Sequence, residues 1–262
     1  MLLAVNVGNT QTALGVFRGD DLAWQWRLST EAERTADEMA LLFGGVLQQQ
    51  GLSFSKEITG VVISSVVPPS TQSLREMADR YFGFPPVVVE PGTKTGIPIL
   101  SDNPREVGAD RIVNALAAHA KYGGPCIVVD FGTATTYDAV SEKGEFIGGA
   151  IAPGIQVAGE SLFAATARLP QVELVAPRSV IGKNTVECIQ SGLVFGAAAE
   201  LEGMVDRMEK ELGPATVIAT GGLAPVVLPH CEVIDHHEPW LTLEGLRIVY
   251  ERNAGAQPAV EP

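Results

Sequence analysis

Two short stretches of the chain share one pattern of apolar and polar residues. Val5–Thr12 reads Val-Asn-Val-Gly-Asn-Thr-Gln-Thr, and Val129–Thr136, which begins 124 positions later, reads Val-Asp-Phe-Gly-Thr-Ala-Thr-Thr. In each stretch an apolar strand pattern leads through Asn or Asp to a glycine turn, and a second strand pattern follows. We therefore predict two related lobes that each open with a strand–turn–strand hairpin, although so short a pattern also arises by chance.

Strand and helix patterns alternate through the rest of the chain. Residues 35–50 and 110–121 have the periodicity of helices with one apolar face. Residues 61–65 and 127–129 are short apolar runs that are typical of buried strands. A last helix is predicted at about residues 242–252. The chain is therefore predicted to be an α/β protein.

Charge, cysteine content and hydropathy exclude several classes of protein. The 262 residues carry a formal net charge of −13, so nucleic acid is not expected as a partner. The three cysteines, Cys126, Cys188 and Cys231, lack CxxC spacing, which argues against a disulfide framework or zinc site and favours a cytoplasmic location. Met1–Val5 reads as a strand rather than a signal peptide, and no membrane partner is expected because no apolar run is long enough to span a bilayer.

The two glycine turns are candidates for phosphate binding. Gly8 and Gly132 allow a close approach of the backbone to phosphate oxygens, and short hydrogen-bond donors are supplied by Asn9, Thr10, Thr133 and Thr135. An acidic side chain at the end of such a strand can hold Mg²⁺ directly or through water. A single turn of this kind would more simply be an ordinary hairpin turn. Two turns in the same polar register favour a nucleotide cleft between lobes.

The segment Gly108-Ala109-Asp110-Arg111 places a carboxylate beside a guanidinium where a loop enters a helix. Asp110 can accept the proton of an attacking hydroxyl, and Arg111 can bind a carboxylate or the transferred phosphate. The alternative is structural: Asp110 caps the helix and Arg111 is its surface partner. The sequence does not favour either interpretation over the other.

Two further segments carry weaker indications. Thr220-Gly221-Gly222 follows an apolar strand and can lie flat against a base or a ribose, but it is also a common way to leave a strand. Asn184 and Glu187 have capping-box spacing, which places Thr185 at the start of a helix, where it can reach a ligand. Lys183 does not belong to a P-loop because the required glycine spacing is absent.

Seven motifs occur in an order that is specific to one enzyme family. They are Val7-Gly8-Asn9-Thr10; Pro91-Gly92 followed by Lys94-Thr95-Gly96; Asp102-Asn103-Pro104-Arg105-Glu106-Val107-Gly108-Ala109-Asp110-Arg111; Asp130-Phe131-Gly132-Thr133-Ala134-Thr135-Thr136; Gly148-Gly149-Ala150-Ile151-Ala152-Pro153-Gly154; Gly182-Lys183-Asn184-Thr185; and Thr220-Gly221-Gly222. From residue 1 to about residue 253, the chain resembles type III pantothenate kinases.

The resemblance implies an acetate-kinase and actin-like α/β fold with ATP in a cleft between two ribonuclease-H-like lobes. These lobes would be residues 1–117 and 118–253, with the last helix packing back toward the first lobe and a frayed tail at 254–262. It further implies ATP-dependent phosphorylation of pantothenate to 4'-phosphopantothenate, the first step of coenzyme A biosynthesis. The implied cofactors are Mg²⁺ and a monovalent cation, K⁺ or NH₄⁺, and the implied assembly is a homodimer.

The resemblance also assigns roles to individual residues. It makes Asp110 the proton acceptor and places Asp130 near the monovalent cation. ATP would contact Thr133 and the first loop, which consists of Asn6, Val7, Gly8, Asn9, Thr10, Gln11, Thr12 and Ala13. Pantothenate would contact Gly108, Ala109, Asp110, Arg111 and Thr185.

One position departs from the family pattern. The first loop usually begins with Asp, which helps to hold Mg²⁺ against the ATP phosphates, and here the residue is Asn6. Asn keeps an oxygen but loses the charge, and the loss of one contact to transition-state charge costs about 10²–10³ in rate. An alternative is therefore a catalytically impaired regulatory protein that binds pantothenate or nucleotide. A third interpretation is a sugar or acetate kinase of the same fold.

Overall fold

The computed structural model describes residues 1–254 and forms two compact units. The first unit comprises Met1–Ile97, Asn103–Ala117 and the described residues from Thr242 onward. The second comprises Pro98–Asp102 and Ala118–Leu241. The sequence-based lobes, 1–117 and 118–253, stay a prediction. The predicted tail at 254–262 lies outside the described residues, apart from Ala254.

The secondary structure of the described residues alternates between strands and helices. The strands are β1 (Leu2–Val7), β2 (Gln11–Arg18), β3 (Asp21–Ser29), β4 (Gly60–Ser65), β5 (Val87–Val88), β6 (Cys126–Phe131), β7 (Ala134–Val140), β8 (Phe146–Pro153), β9 (Thr216–Thr220) and β10 (His236–His237). The helices are α1 (Ala36–Gln48), α2 (Phe54–Glu57), α3 (Pro68–Phe82), α4 (Ala109–Tyr122), α5 (Ile155–Ala165), α6 (Thr185–Leu212), α7 (Ala224–Val227) and α8 (Leu241–Asn253).

Each unit contains one five-stranded mixed sheet, and the two sheets have the same strand order. The first is ordered β3-β2-β1-β4-β5 and the second β8-β7-β6-β9-β10. In both, the first three strands along the chain pair antiparallel and the later two add in parallel. The α/β class is confirmed, and the shared order supports the predicted duplication.

The ungapped alignment of the two hairpins was wrong after the turn. Val7 pairs with Thr12 in the first hairpin (β1–β2), whereas Phe131 pairs with Thr135 in the second hairpin (β6–β7). The second turn is therefore one residue shorter, and because turn length sets hairpin register, Thr12 corresponds to Thr135 rather than to Thr136. Both threonines are buried, at 8% and 7% exposure.

Alternating side chains build the core of each unit on one face of its sheet. In the first unit, Val5 and Val7 of β1 pack with Met39 and Phe43 of α1 and with Leu74 of α3. In the second unit, strand β6 and helix α6 contribute apolar side chains to one core, namely Ile127, Val129, Phe131, Val194, Ala198, Leu201 and Val205. Along each strand, every second side chain points to the same face of the sheet, and α6 has its apolar residues on one side. Helices therefore pack against the apolar face of each sheet.

Helix α8 covers the opposite face of the first sheet. Glycines make this approach possible, because a Cβ atom on Gly15 would lie 2.8 Å from the Leu243 side chain and one on Gly60 would overlap the Tyr250 ring. The backbone of α8 also meets α4 at Gly245 and Val113. Beyond the sheet, the Asn253 side chain donates to the carbonyl of Lys94 at 2.9 Å. These contacts lie within the first unit and place α4 and α8 on one side of its sheet.

Candidate active site

The first predicted phosphate loop is the turn of the β1–β2 hairpin. The Gly8 amide donates to the Gln11 carbonyl at 2.9 Å, which closes the turn. Thr30, just after β3, donates its amide to the Thr10 carbonyl at 2.9 Å, and its hydroxyl lies 2.8 Å from that of Thr12. Asn9, Thr10 and Gln11 are exposed at the tip. The loop is therefore held from behind by β3, and its donors face outward.

Asn6 lies in β1, just before this turn. Its Oδ1 atom is enclosed and has no hydrogen-bond partner among the described residues. In the sheet register Asn6 pairs with Ser64 of β4, whose buried Oγ likewise has no partner in the described part of the chain. Buried polar atoms normally have partners, so two such neighbours suggest a site for a water or ligand group.

The second predicted phosphate loop is the shorter turn of the β6–β7 hairpin. The Gly132 amide donates to the Ala134 carbonyl at 3.0 Å, and the Gly154 amide donates to the Thr133 carbonyl at 3.1 Å. Thr133 is exposed and Asp130 is half-buried. Gly221 lies directly against Asp130, because a Cβ atom there would stand 2.5 Å from the Asp130 Oδ1 atom. The weak double-glycine motif thus belongs to this loop.

Asp110 lies in the first turn of α4 and not at its cap. The helix begins at Ala109, and the Ile112 amide donates to the Gly108 carbonyl at 3.2 Å. The Asp110 carboxylate accepts the Arg111 amide at 2.9 Å. Gly108 leaves room for this carboxylate, because a Cβ atom there would lie 2.6 Å from Oδ1. The carboxylate thus satisfies one helix-start amide and retains acceptor capacity.

Burial raises the pKa of Asp110 above its ordinary value. The hydrogen bond from the Arg111 amide and the Arg111 charge oppose this shift, but loss of hydration is the larger effect. A raised pKa brings a carboxyl group closer to the range in which a general base is efficient. Asp110 therefore has the electrostatic environment expected of a proton acceptor.

Thr185 is the first residue of α6 and is exposed. Asn184 caps the helix by accepting the Glu187 amide at 3.0 Å. The predicted capping box is only half formed, because the Glu187 carboxylate accepts the Lys183 amide at 3.1 Å and pairs with Arg178 at 2.7 Å instead. The Thr185 side chain remains at a helix N-terminus, where polar groups of a ligand are favoured.

The comparisons with known proteins agree on one family. The family model for type III pantothenate kinase matches residues 2–207. The type III pantothenate kinase of Streptomyces griseus is 58% identical over 261 residues, which covers 97% of this chain and 98% of the relative. The chain belongs to the type III pantothenate kinase family. Another type III pantothenate kinase, from Moorella thermoacetica, is 56% identical over 254 residues and is covered completely, with 97% of this chain matched.

Solved structures support the fold independently of sequence. The (R)-2-hydroxyglutaryl-CoA dehydratase component A of Acidaminococcus fermentans matches with a TM-score of 0.58 at 14% identity, covering 97% of this chain and 98% of that one. The activator of 2-hydroxyisocaproyl-CoA dehydratase from Clostridium difficile, solved with bound ADPNP, matches with a TM-score of 0.53 at 11% identity, covering 100% of this chain and 98% of that one. At such low identity the likeness concerns the fold alone.

The sequence predicted the motif residues of the site but not the residues that hold them in place. Asn6–Ala13 and Gly108–Arg111 belong to the first unit, and Asp130, Thr133 and Thr185 belong to the second. Ser64 and Thr30 were not predicted to matter. Ser64 follows the apolar run of β4, which pairs in parallel with β1. An alignment of the ends of these two strands would have placed Ser64 beside Asn6.

The described residues contain no group of three or more His, Cys, Asp or Glu side chains arranged to hold a metal. The three cysteines are free thiols. Within residues 1–254 no helix is long and apolar enough to cross a bilayer.

Proposed function

We propose that this protein transfers the γ-phosphate of ATP to the primary hydroxyl of pantothenate, forming 4'-phosphopantothenate in the first step of coenzyme A biosynthesis. The observation that carries the proposal is the identity of 58% over 97% of the chain with a type III pantothenate kinase. Asp110, with its raised pKa, supplies the base that this reaction needs.

In the proposed reaction, the Asp110 carboxylate accepts the proton of the pantothenate hydroxyl. A bond forms between that oxygen and the γ-phosphorus as the bond to the leaving ADP oxygen breaks. Gly108, Ala109, Arg111 and Thr185 bind pantothenate, and the Arg111 guanidinium suits a carboxylate or a phosphate. The first loop, Asn6–Ala13, and Thr133 bind ATP through short polar side chains and backbone amides.

Metal ions fit two positions in this scheme. The enclosed Oδ1 of Asn6, without a hydrogen-bond partner among the described residues, can accept from the water shell of Mg²⁺ that arrives with ATP. The half-buried Asp130 carboxylate suits a monovalent cation, K⁺ or NH₄⁺. When bound, Mg²⁺ supplies neutralisation of the phosphate charge. The residues of the chain itself orient the phosphates, and Asp110 accepts the proton.

The proposed homodimer draws support from exposed apolar side chains on the second unit. Ile151 of the edge strand β8 is 65% exposed, and Phe163 of α5 is 48% exposed. Val180 and Ile181, just before α6, are 65% and 80% exposed. Burial of such side chains between two copies of the chain would remove apolar area from water and stabilise a dimer. Analytical ultracentrifugation should show a dimer, and Ile181→Lys together with Ile151→Lys should give monomers; an unchanged sedimentation coefficient would contradict this assignment.

A cytoplasmic location is proposed because all three cysteines are free thiols, as is usual in a reducing compartment. The alternative of a catalytically impaired binding protein rested on Asn6 alone. The relatives give it no support, since those described above are named as kinases.

A coupled assay for ADP release, with and without pantothenate, tests the function. ADP should form at a high rate only when pantothenate is present. Asp110→Asn should lower kcat by about 10²–10⁴-fold, because the base is lost, while ATP and pantothenate still bind. Equal ADP release without pantothenate, or normal turnover by Asp110→Asn, would overturn the assignment.

The pH profile supplies a second test of the base. Asp110 must be ionised to accept a proton, so kcat/KM should fall as pH falls through its pKa, which lies above the ordinary value of 3.8. The acid limb should disappear in Asp110→Asn, whose residual rate should be flat over the same range. An unchanged acid limb in that variant would assign the titration to another group.

A further inference from the structure

Ser70 is a buried hydroxyl behind the first phosphate loop. It lies in the first turn of α3, is 1% exposed, and its Oγ has no hydrogen-bond partner among residues 1–254. Buried hydroxyl groups in folded proteins nearly always have a protein or water partner. Nothing in the sequence indicates a role for this residue, because Ser in the first turn of a helix is common.

Ser70 is among the residues that line a small cavity, which also touches the loop. The cavity has a volume of about 20 Å³ and is lined by Val7, Thr12, Thr30, Phe43 and Leu74 among others. One water molecule needs roughly 10–15 Å³ of such space and two to four polar partners. The volume therefore suits a single water molecule and is too small for any larger ligand.

The cavity contains the polar partners that a water molecule requires. The Thr12 and Thr30 hydroxyls lie 2.8 Å apart, and a hydroxyl that makes one hydrogen bond can still make another. Glu31 and Arg34 also line the cavity, but they pair with each other at 2.8 Å. The hydroxyl groups of Ser70, Thr12 and Thr30 are therefore the natural partners.

We propose that one ordered water molecule binds in this cavity between Ser70 and the Thr12–Thr30 pair, and that Ser70 is a positioning residue for the first phosphate loop. The water joins the start of α3 to the β1–β2 hairpin, which is otherwise held from behind by Thr30. Its kinetic consequence rests on the proposed function, because it requires that Asn6–Ala13 binds ATP.

A high-resolution crystal structure tests the water directly. The expected result is an electron-density peak within hydrogen-bond distance of Ser70 Oγ and of at least one of the two threonine hydroxyls. A structure in which Ser70 Oγ bonds a protein atom, or in which no peak is found in the cavity, overturns the proposal. This outcome does not depend on which reaction the protein catalyses.

Steady-state kinetics test the positioning role. Ser70→Ala should raise the KM for ATP by about threefold to tenfold, since one hydrogen-bonded link behind the loop is lost. The KM for pantothenate and kcat should stay within about twofold, because Ser70 contacts neither reacting group. Ser73→Ala, a change on the same helix at a residue that does not line the cavity, is the matched control and should leave all three parameters unchanged.

The kinetic outcomes separate this inference from the proposed function. If the wild-type protein does not phosphorylate pantothenate, the proposed function fails while the crystallographic test still decides the water. If the wild-type protein is active and Ser70→Ala behaves like Ser73→Ala, the positioning role is wrong. A rise in both KM values by the same factor would also overturn it, because that pattern indicates a general structural defect.

Discussion

The two hairpins begin with the same pattern but are supported differently. In each, the polar strand residue has a hydroxyl residue beside it in the sheet: Ser64 beside Asn6, and Thr220 beside Asp130. After Thr220 the chain turns at Gly221 and presses on the Asp130 side chain, whereas β4 continues to Ser65. The first hairpin is therefore supported by side-chain hydroxyl groups, whereas the second is supported by the backbone of Gly221.

This difference shows how a duplicated element can diverge without losing its shape. Strand order and direction are kept because they bury the same apolar face in both units. The turn lengths, the charge at the strand end and the supporting groups have changed. Substitutions at matched positions of the two hairpins should therefore have unequal effects.

The largest difference is expected at the strand ends. Asp130→Asn should lower kcat/KM by about 10²–10³-fold, since it removes the charge that the proposed reaction uses to organise the cation and phosphates. Asn6→Asp should instead raise kcat/KM, by about tenfold, and should strengthen the dependence on Mg²⁺. The measurements are steady-state kinetics across a Mg²⁺ titration, with circular dichroism to confirm folding. An equal fall in kcat/KM in both variants would contradict the predicted difference between the two strand ends.

Glycine substitutions should separate the two hairpins in stability, with Gly8 in the turn of the first and Gly221 against the side of the second. Gly221 has φ +95°, and a Cβ atom there would lie 2.5 Å from Asp130 Oδ1 and from the Phe131 backbone nitrogen and oxygen. Gly221→Ala should therefore lower the free energy of unfolding by about 3 kcal/mol. In Gly8→Ala the new Cβ atom would lie 3.1 Å from the Gln11 carbonyl oxygen, so the loss should stay below about 1 kcal/mol. Urea denaturation of both variants measures the contrast, and similar midpoints would contradict it.

The smallest effect is expected at the matched threonines. Thr12→Val removes the 2.8 Å contact with the Thr30 hydroxyl and should cost about 1–2 kcal/mol, because that hydroxyl loses its partner. Thr135 instead lines a cavity of about 290 Å³ with Tyr137 and Glu200, and Thr135→Val should cost about 0.5 kcal/mol. Thermal denaturation gives both values. A larger loss at Thr135 would reverse the proposed contrast between the hairpins.

The sequence predicted those elements whose patterns are long and periodic. The helix predicted at 110–121 is α4 (Ala109–Tyr122), and the strand predicted at 127–129 lies within β6 (Cys126–Phe131). Short elements such as α2 and β10 were missed because four or two residues carry no measurable periodicity. The offset between the hairpins was missed because the two turns differ in length by one residue, and an ungapped comparison of residue types does not reveal that difference.

For the site, the sequence predicted the loops but not what holds them. The motif glycines and Asp110 were recognisable because few residue types can perform their roles. Ser64 and Ser70 were not, since a serine acquires significance only when its hydroxyl is known to be buried without a hydrogen-bond partner among the described residues. The half-formed capping box at Glu187 has a similar cause, because Arg178 competes for the carboxylate from outside the motif.

Helix α8 follows the whole second unit along the chain, yet it covers the sheet of the first. During synthesis on the ribosome, the β-sheet made earliest must therefore wait for more than a hundred later residues before its second face is shielded from water. A nascent chain at that stage exposes the part of the sheet surface around Gly15 and Gly60. A chain that stops before Leu241 therefore lacks the helix that covers this face of the first sheet.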